Sequence, residues 1–319
     1  FNVRASHSTG FRAPSVQQRF FTRANTLFIS TPTGLVPQEV VTFPNDSRAA
    51  SELGIPTLRE ETSVSYSVGF TAKPLRGLEL TVDAYQVDIN DRIILTNFFT
   101  PGNNPTLQRI FRENGADRAN FFTNGIDTRN QGLETVATYT KSVRKHSFRL
   151  SLASTLIRNR VKEDRFGFPI VRASQVLVNS GQLGNFFNRE DQSRLEVAVP
   201  QNKFMAMFNY RYAKFSTFIR VVRFGRVIYL DPTINPFNPS AFPVNTFTGQ
   251  RETLDQVFNP MTVTDLSLSY EVRPWLTATV GANNLFDAYQ DIHTHSGNMS
   301  AGRFVYSRRV QQGGFNGAY

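Results

Sequence analysis

The sequence predicts an all-β protein, a transmembrane antiparallel β-barrel with short turns at one end and long loops at the other. Three observations carry this reading: period-two alternation of apolar and polar residues, strict alternation of short and long connections, and aromatic residues at strand ends. Of 319 residues, 40% are hydrophobic and 13% aromatic, with 29 Phe. No stretch approaches the eighteen or so consecutive apolar residues of a spanning helix, which excludes a helical membrane protein but not one built from strands.

The alternation is read directly off the chain. Val64, Tyr66, Val68, Phe70 and Ala72 alternate with polar or small neighbours, and Leu78, Leu80, Val82 and Ala84 alternate with Glu79, Thr81, Asp83 and Tyr85. Phe148, Leu150 and Leu152 share one face, as do Phe204, Ala206, Phe208, Tyr210 and Tyr212. Leu266, Leu268, Tyr270 and Val272 repeat the pattern, followed by Leu276, Ala278, Val280 and Ala282. The segments from Leu133 and from Phe215 are noisier, because Val136 and Phe218 fall on the opposite face. Strict alternation gives one apolar and one polar face. It does not say which face is inside.

The connections decide that question. Turns are expected at Lys73–Gly77, Ser142–His146, Ala213–Lys214 and Arg273–Trp275. Between the hairpins lie long segments, roughly 10–61, 90–130, 158–200, 226–260 and 287–312. Compact soluble domains rarely carry several loops beyond about 15 residues, whereas outer-membrane barrels do so as a rule. The loops are rich in Asn, Pro, Thr and Gly, a composition expected to oppose helix. Phe70, Tyr85, Tyr139, Phe148, Phe204, Tyr212, Tyr270 and Trp275 lie at or near strand ends, suited to interfacial girdles. About nine full strands are expected, with a tenth starting near Gly314. That number with such long loops fits a portion of a larger barrel, cut at both ends. Phe1 opens the chain without a charged-then-apolar leader, so no signal peptide is visible.

Several runs resemble those of TonB-dependent outer-membrane receptors. Gly10-Phe11-Arg12-Ala13-Pro14-Ser15 is similar to the family's G-F-R-A-P-S/T run. Leu58-Arg59-Glu60-Glu61-Thr62-Ser63, followed by Tyr66 and Gly69, resembles its L-K-P-E-x-S-x-x-Y-x-x-G run, with Glu60 where Pro is usual. Asp83-Ala84-Tyr85 through Asp91-Arg92-Ile93 resembles the rising strand that ends in D-R-I, and Asn283-Asn284-Leu285-Phe286-Asp287 resembles the late N-N-L-F-D strand end. Gly302 to Arg309 and Gly314-Phe315-Asn316-Gly317 look like the tail of Bacteroidetes-type members.

The resemblance implies that residues 1–319 are one partial barrel domain, about the last ten strands of a 22-stranded barrel. A plug, a TonB box, the early strands and the end of the last strand would lie outside it. It implies TonB-energised uptake of a scarce ligand (siderophore, vitamin, oligosaccharide or peptide), with the TonB–ExbB–ExbD system engaged through the plug. The implied surroundings are outer-membrane lipid and lipopolysaccharide. A passive porin and an outer-membrane hydrolase drawing on His7 or His146 are the alternatives.

No enzyme motif is present: no G-x-S-x-G, H-E-x-x-H, P-loop or Rossmann fingerprint. We therefore expect no enzyme, no catalytic residue, no cofactor and no metal. Cys is absent, which excludes thiolate metal sites and thiol catalysis. The net charge of +10 suggests an anionic partner. Arg158, Arg160, Lys162 and Arg165 cluster, but the basic residues are spread over many loops. That favours lipopolysaccharide or a solvated surface and disfavours nucleic acid. Four Phe doublets fall in expected loops: Phe20-Phe21, Phe98-Phe99, Phe121-Phe122 and Phe186-Phe187. Phe98, Phe99, Phe121, Phe122, Phe186 and Phe187 are the candidate ligand contacts; the alternative is that they glue the loops together. His293 and His295 form an H-x-H pair read as solvated loop residues. Asp83, Glu134, Arg149, Arg211, Asp265 and Glu271 are expected to face the lumen and pair across it, contact with the plug being the alternative.

Overall fold

The computed structural model describes residues 1–31, 34–163, 174–232, 238–244, 249–294 and 305–314. In chain order its elements are β1 (Asn2–Arg12), α1 (Val16–Phe20), β2 (Arg23–Thr31), β3 (Gly34–Phe43), α2 (Arg48–Glu52), β4 (Glu61–Leu75), β5 (Leu78–Leu95), α3 (Pro105–Glu113), β6 (Arg118–Val143) and β7 (His146–Val161). Then come α4 (Gln175–Asn179), α5 (Arg189–Glu196), β8 (Asn202–Tyr212), β9 (Phe215–Phe224), β10 (Val227–Tyr229), β11 (Gln256–Phe258), β12 (Met261–Arg273) and β13 (Leu276–Ala282).

Among the described residues, nine strands form one antiparallel path, β1-β4-β5-β6-β7-β8-β9-β12-β13, so the expected nine are present. Gln312–Gly314 is a 3-10 turn, and the rest of the expected tenth strand lies outside the described residues. Tight turns join β4 to β5, β6 to β7, β8 to β9 and β12 to β13, and long segments join the other neighbours on the path. The β5 turn uses Gly77 at φ 88°, where a side chain would also meet the Thr140 carbonyl. The Ala213-Lys214 turn is as the sequence suggests, and the other three are tighter: Arg76-Gly77, Arg144-Lys145 and Pro274-Trp275.

Register fixes the faces. Phe70 lies beside Val82, Leu133 beside Ala84 and Leu156, Leu150 beside Phe208, and Leu268 beside Val280. Phe70, Leu133, Leu150, Leu156, Leu268 and Val280, with Val68, Leu152, Phe204 and Ile219, are exposed on one face, where Val82, Ala84 and Phe208 are half-buried. A sheet that exposes rows of Val, Leu, Ile and Phe is built to face hydrocarbon. Val136 and Phe218 fall on the other, polar face, beside Ala153 and Asn209 respectively.

The polar face pairs its charges. Arg4 on β1 reaches across β4 to Asp83 on β5, with Nε to Oδ1 at 2.9 Å. The intervening residue is Gly69, where any Cβ would collide with the Asp83 carboxylate. On the far side Arg220 Nε donates to Asp265 Oδ2 at 2.6 Å, and the Asn284 N–H donates to Asp265 Oδ1 at 2.9 Å. Asn284 and Asp287 both take positive φ, so the N-N-L-F-D run is a built strand terminator.

The other motif runs meet in a knot at the loop ends of β1, β4, β5 and β6. Arg12 grips Glu61 through two bonds of 2.8 and 2.6 Å, and buried Glu61 also accepts the Ile93 N–H at 2.7 Å. Arg59 donates to Asp91 at 2.5 Å, while Asn124 holds the carbonyls of Arg59 and Asp91 and the N–H of Arg59. Asp91 has φ 57°, and a bulge there re-aims β5.

Two expectations are overturned. The segment 90–130 is not one long loop: β5 runs 18 residues and β6 runs 26, well past the apolar band. Among the described residues, the loops also contain five short α-helices. Asn and Pro, read as helix breakers, act here as caps: Asn104 accepts from the N–H groups of Thr106 and Leu107 ahead of Pro105, and Asn188 forms a capping box with Asp191.

Above the apolar band the loops have a core of their own. Phe43, Leu53, Leu107, Ile110, Phe111, Phe121 and Phe186 pack together, drawn from β3, α2, α3, β6 and the segment after α4. β3 pairs in parallel with the upper end of β6, tying the β2–β3 hairpin to the wall. Glu52 closes the α2–α3 contact, accepting from Arg48 at 2.6 Å and Arg109 at 2.8 Å.

Two outcomes follow from this packing. Gly69→Val places a Cβ against Asp83, separates it from Arg4 and overpacks the ladder, at a cost of about 1–3 kcal/mol; the midpoint of heat modifiability on seminative gels should fall. An unchanged midpoint would show that the Arg4–Asp83 bridge does not need the gap. The hydrogen bonds from Arg48 and Arg109 hold the Glu52 carboxyl below its usual range. Its contribution is therefore present at neutral pH and is lost as pH falls through the lowered value. Hydrogen exchange in α2 and α3 should accelerate in acid in the native protein, and the acceleration should shrink in Glu52→Gln.

Candidate functional site

The candidate site is the mouth of the polar face, where the wall meets the loop core. α5 lies over it. Phe187 and Leu195 pack on Ile126, Val161 and Ile94, on the same face as Thr128 and Asn130. The Val161 N–H donates to Glu196 Oε1 at 2.8 Å and anchors the helix to the wall. Burial pushes the Glu196 carboxyl above the usual carboxylate range, and that N–H partly offsets the push.

Beneath α5 is a cavity of about 400 Å³ lined by Val87, Ile89, Arg92, Asn130, Asn159 and Arg194 among others. Arg92 reaches Thr128 Oγ1 at 3.4 Å, a weak contact, and Arg194 pairs with Glu190 at 2.8 Å. Asn130 and Asn159 hydrogen-bond each other across β6 and β7. Two guanidiniums and two amides on a partly apolar wall can hold an oxygen-rich, anionic molecule.

A second loop cluster flanks the mouth. β10 pairs with β11, and Val227, Tyr229, Phe258, Ala198 and Val310 pack together. Arg189 of α5 clamps Asp255 through bonds of 3.1 and 2.8 Å, and Asp255 also accepts the Asp231 N–H at 2.7 Å. Burial, with nearby Asp231 adding to it, pushes the Tyr229 hydroxyl well above its usual range, so this tyrosine stays neutral. Glu190 is shared by Arg194 and Arg309, joining the cluster to the C-terminal segment.

The six aromatic candidates divide by burial. Phe99, Phe121 and Phe186 are at most 1% exposed; Phe99 stacks on Phe121 with centroids 5.3 Å apart, and Phe186 meets both edge-on at 5.0 and 6.0 Å. Phe187 is buried against Ile126 and Val161. Phe98 is 37% exposed and Phe122 is half-buried. Phe121 and Phe122 sit on β6, not in a loop. Phe20 and Phe21 are exposed at the end of α1.

His293 corrects the expectation of a solvated residue. It is 3% exposed, with Tyr229 at 5.0 Å and Phe258 at 5.5 Å, so it belongs to the second cluster. His295 lies outside the described residues, as does Arg165. No group of three metal-ligating side chains occurs among the described residues. His7 stacks on Tyr66 at 4.8 Å, and His146 Nδ1 is 2.9 Å from the Tyr210 hydroxyl. Of the inner-face charges named from the sequence, Asp83 and Asp265 are in ion pairs. The knot of Arg12, Glu61, Arg59 and Asp91 was not foreseen, although all four lie in the quoted motifs.

Residues 1–285 match the family described as TonB dependent receptor-like, beta-barrel. No curated protein matches the chain. Among solved structures, the siderophore receptor PirA from Acinetobacter baumannii is similar at 14% identity and TM-score 0.52, over 89% of this chain and 34% of that one. The ferripyoverdine receptor of the Pseudomonas aeruginosa outer membrane, bound to ferripyoverdine, gives 12% identity and TM-score 0.49 over 92% and 28%. A mutant of the ferric enterobactin receptor PfeA, also from Pseudomonas aeruginosa, gives 15% and 0.49 over 89% and 32%. The chain thus spans about a third of the length of these receptors. The family match over most of the chain, the fold shared with PirA and the outward apolar face agree: this chain belongs to the TonB-dependent receptor β-barrel family of the Gram-negative outer membrane.

Proposed function

We propose that the chain supplies wall and loops to an outer-membrane receptor for TonB-energised uptake of a scarce ligand. The single observation that carries this reading is the inward-folded α5. A passive pore needs an open mouth, whereas here a loop helix packs on the polar face over an arginine-lined cavity. Coupling to the TonB–ExbB–ExbD system would run through a plug, as the family match supports. The named solved receptors handle ferric siderophores, and a ferric siderophore is the first ligand to try; vitamins, oligosaccharides and peptides follow. Arg92, which has no carboxylate partner among the described residues, favours an anionic one.

The six aromatics form the proposed ligand-contact group. Phe98 and Phe122 present ring surface, while Phe99, Phe121, Phe186 and Phe187 hold those positions. Residues 1–319 would form one barrel-domain portion.

Radiolabelled ferric siderophores, cobalamin and oligosaccharides, offered to cells with and without the gene, test the reading. Saturable uptake of one of them, abolished by a protonophore, is expected; unsaturable, protonophore-insensitive flux would indicate a porin. Phe98→Ala should weaken binding of that ligand roughly twofold to tenfold, the factor for about 0.5–1.5 kcal/mol of ring contact. Phe121→Ala should instead cost about 3–5 kcal/mol in the loop core and raise protease sensitivity there. If Phe98→Ala leaves uptake and binding unchanged, the aromatic contact is wrong.

A further inference from the structure

The outward face of β6 to β9 is uneven. In register, Thr135 lies beside Ser154, Phe204 and Arg223; two residues lower on each strand, Ala137 lies beside Leu152, Ala206 and Val221. Small side chains between Leu152 and Phe204 leave a groove of about 440 Å³ in the lipid-facing wall. It is wide enough to seat an acyl chain and too apolar to hold water well.

Arginines stand above it. Arg223 lines the groove itself. Arg158 follows Ser154 and Leu156 on the outward face of β7 and is exposed, as is Arg160 beyond it. On the polar face and in the knot, four arginines are held by carboxylates: Arg4 by Asp83, Arg12 by Glu61, Arg59 by Asp91 and Arg220 by Asp265. On the outward rim, Arg129 is neutralised by Asp88. Arg158 and Arg223 have no carboxylate partner among the described residues. Cations at the headgroup level of a bilayer, unmatched by the protein, call for anions from the lipid.

We propose that this groove and its two arginines form a binding site for the lipid A portion of lipopolysaccharide. One acyl chain lies along Ala137, Ser154 and Ala206, and phosphates meet Arg223 and Arg158. Two strand spacings across and four residues along put those arginines about 16 Å apart at Cα. With the reach of both side chains, that spacing suits a headgroup with two separated phosphates better than a phospholipid with one. The site depends on the outer-membrane placement and not on the uptake reading, because no residue of the mouth takes part.

The test titrates purified lipid A and phosphatidylglycerol into the protein in detergent micelles, with bound lipid counted by native mass spectrometry. The native protein should retain lipid A at least about tenfold better than phosphatidylglycerol, the factor for one charge-assisted contact of about 1.5 kcal/mol. Arg158→Ala with Arg223→Ala should abolish that preference. Ala206→Trp, which fills the groove from the lipid side, should lower lipid A retention with both arginines in place; heat modifiability checks that each variant is folded. Equal retention of the two lipids by the native protein, or lipid A retention unmoved in folded variants of both kinds, overturns the proposal.

Discussion

The backbone ladder from β1 to β13 is the constraint from which the other features follow. In hydrocarbon an unpaired peptide group costs several kcal/mol, so a spanning strand must bond its neighbours on both sides. Between β4 and β12 each strand on the path does so, through long unbroken registers such as Glu134 between Asp83 and Thr155. Once the register is set, period two assigns every side chain a face. Leu, Val and Phe go outward. Arg4, Asp83, Arg220 and Asp265 go inward, where they are close enough to pair. Gly69 exists within that logic, since the bridge from β1 to β5 must pass over β4.

Where the strands leave the apolar band, the ladder alone no longer specifies structure. The Arg12–Glu61 and Arg59–Asp91 pairs take over, with Asn124 bonding the turning backbone. Glu61 is largely buried and receives three donors, so removing either partner would strand a charge. These ties hold the roots of the loops. From those roots rise the cap around Phe99, Phe121 and Phe186 and the α5 helix over the mouth. A receptor gains from such rigidity because loops ordered beforehand lose less entropy when ligand arrives.

The strands were legible in the sequence because lipid on one side and water on the other impose a contrast at every residue. Beyond the band that contrast ends. Gln86, Asp88 and Asn90 take the outward positions of β5, where Asp88 binds Arg129 and Lys162, so alternation vanishes while the strand continues. The helices were missed because Asn104 and Pro105 break helices in the middle and start them at the end. His293 was misread because its partners, Tyr229 and Phe258, lie 64 and 35 residues away, and no local pattern marks them. The ion-pair knot lay within recognised motifs, but spacing along a chain does not show which strand tips meet. The doublets named from composition proved to be residues of unlike burial, Phe98 accessible and Phe99 enclosed.

The absence of cysteine makes the central claim directly measurable, since single cysteines report without background. Cysteines placed one at a time from Arg149 to Leu156 on β7 can be probed with a water-soluble maleimide in outer-membrane vesicles. An outward apolar face gives period two: positions 149, 151, 153 and 155 label, and 150, 152, 154 and 156 stay shielded by lipid. Uniform labelling, or labelling in the opposite phase, would contradict an outward apolar face and with it the barrel.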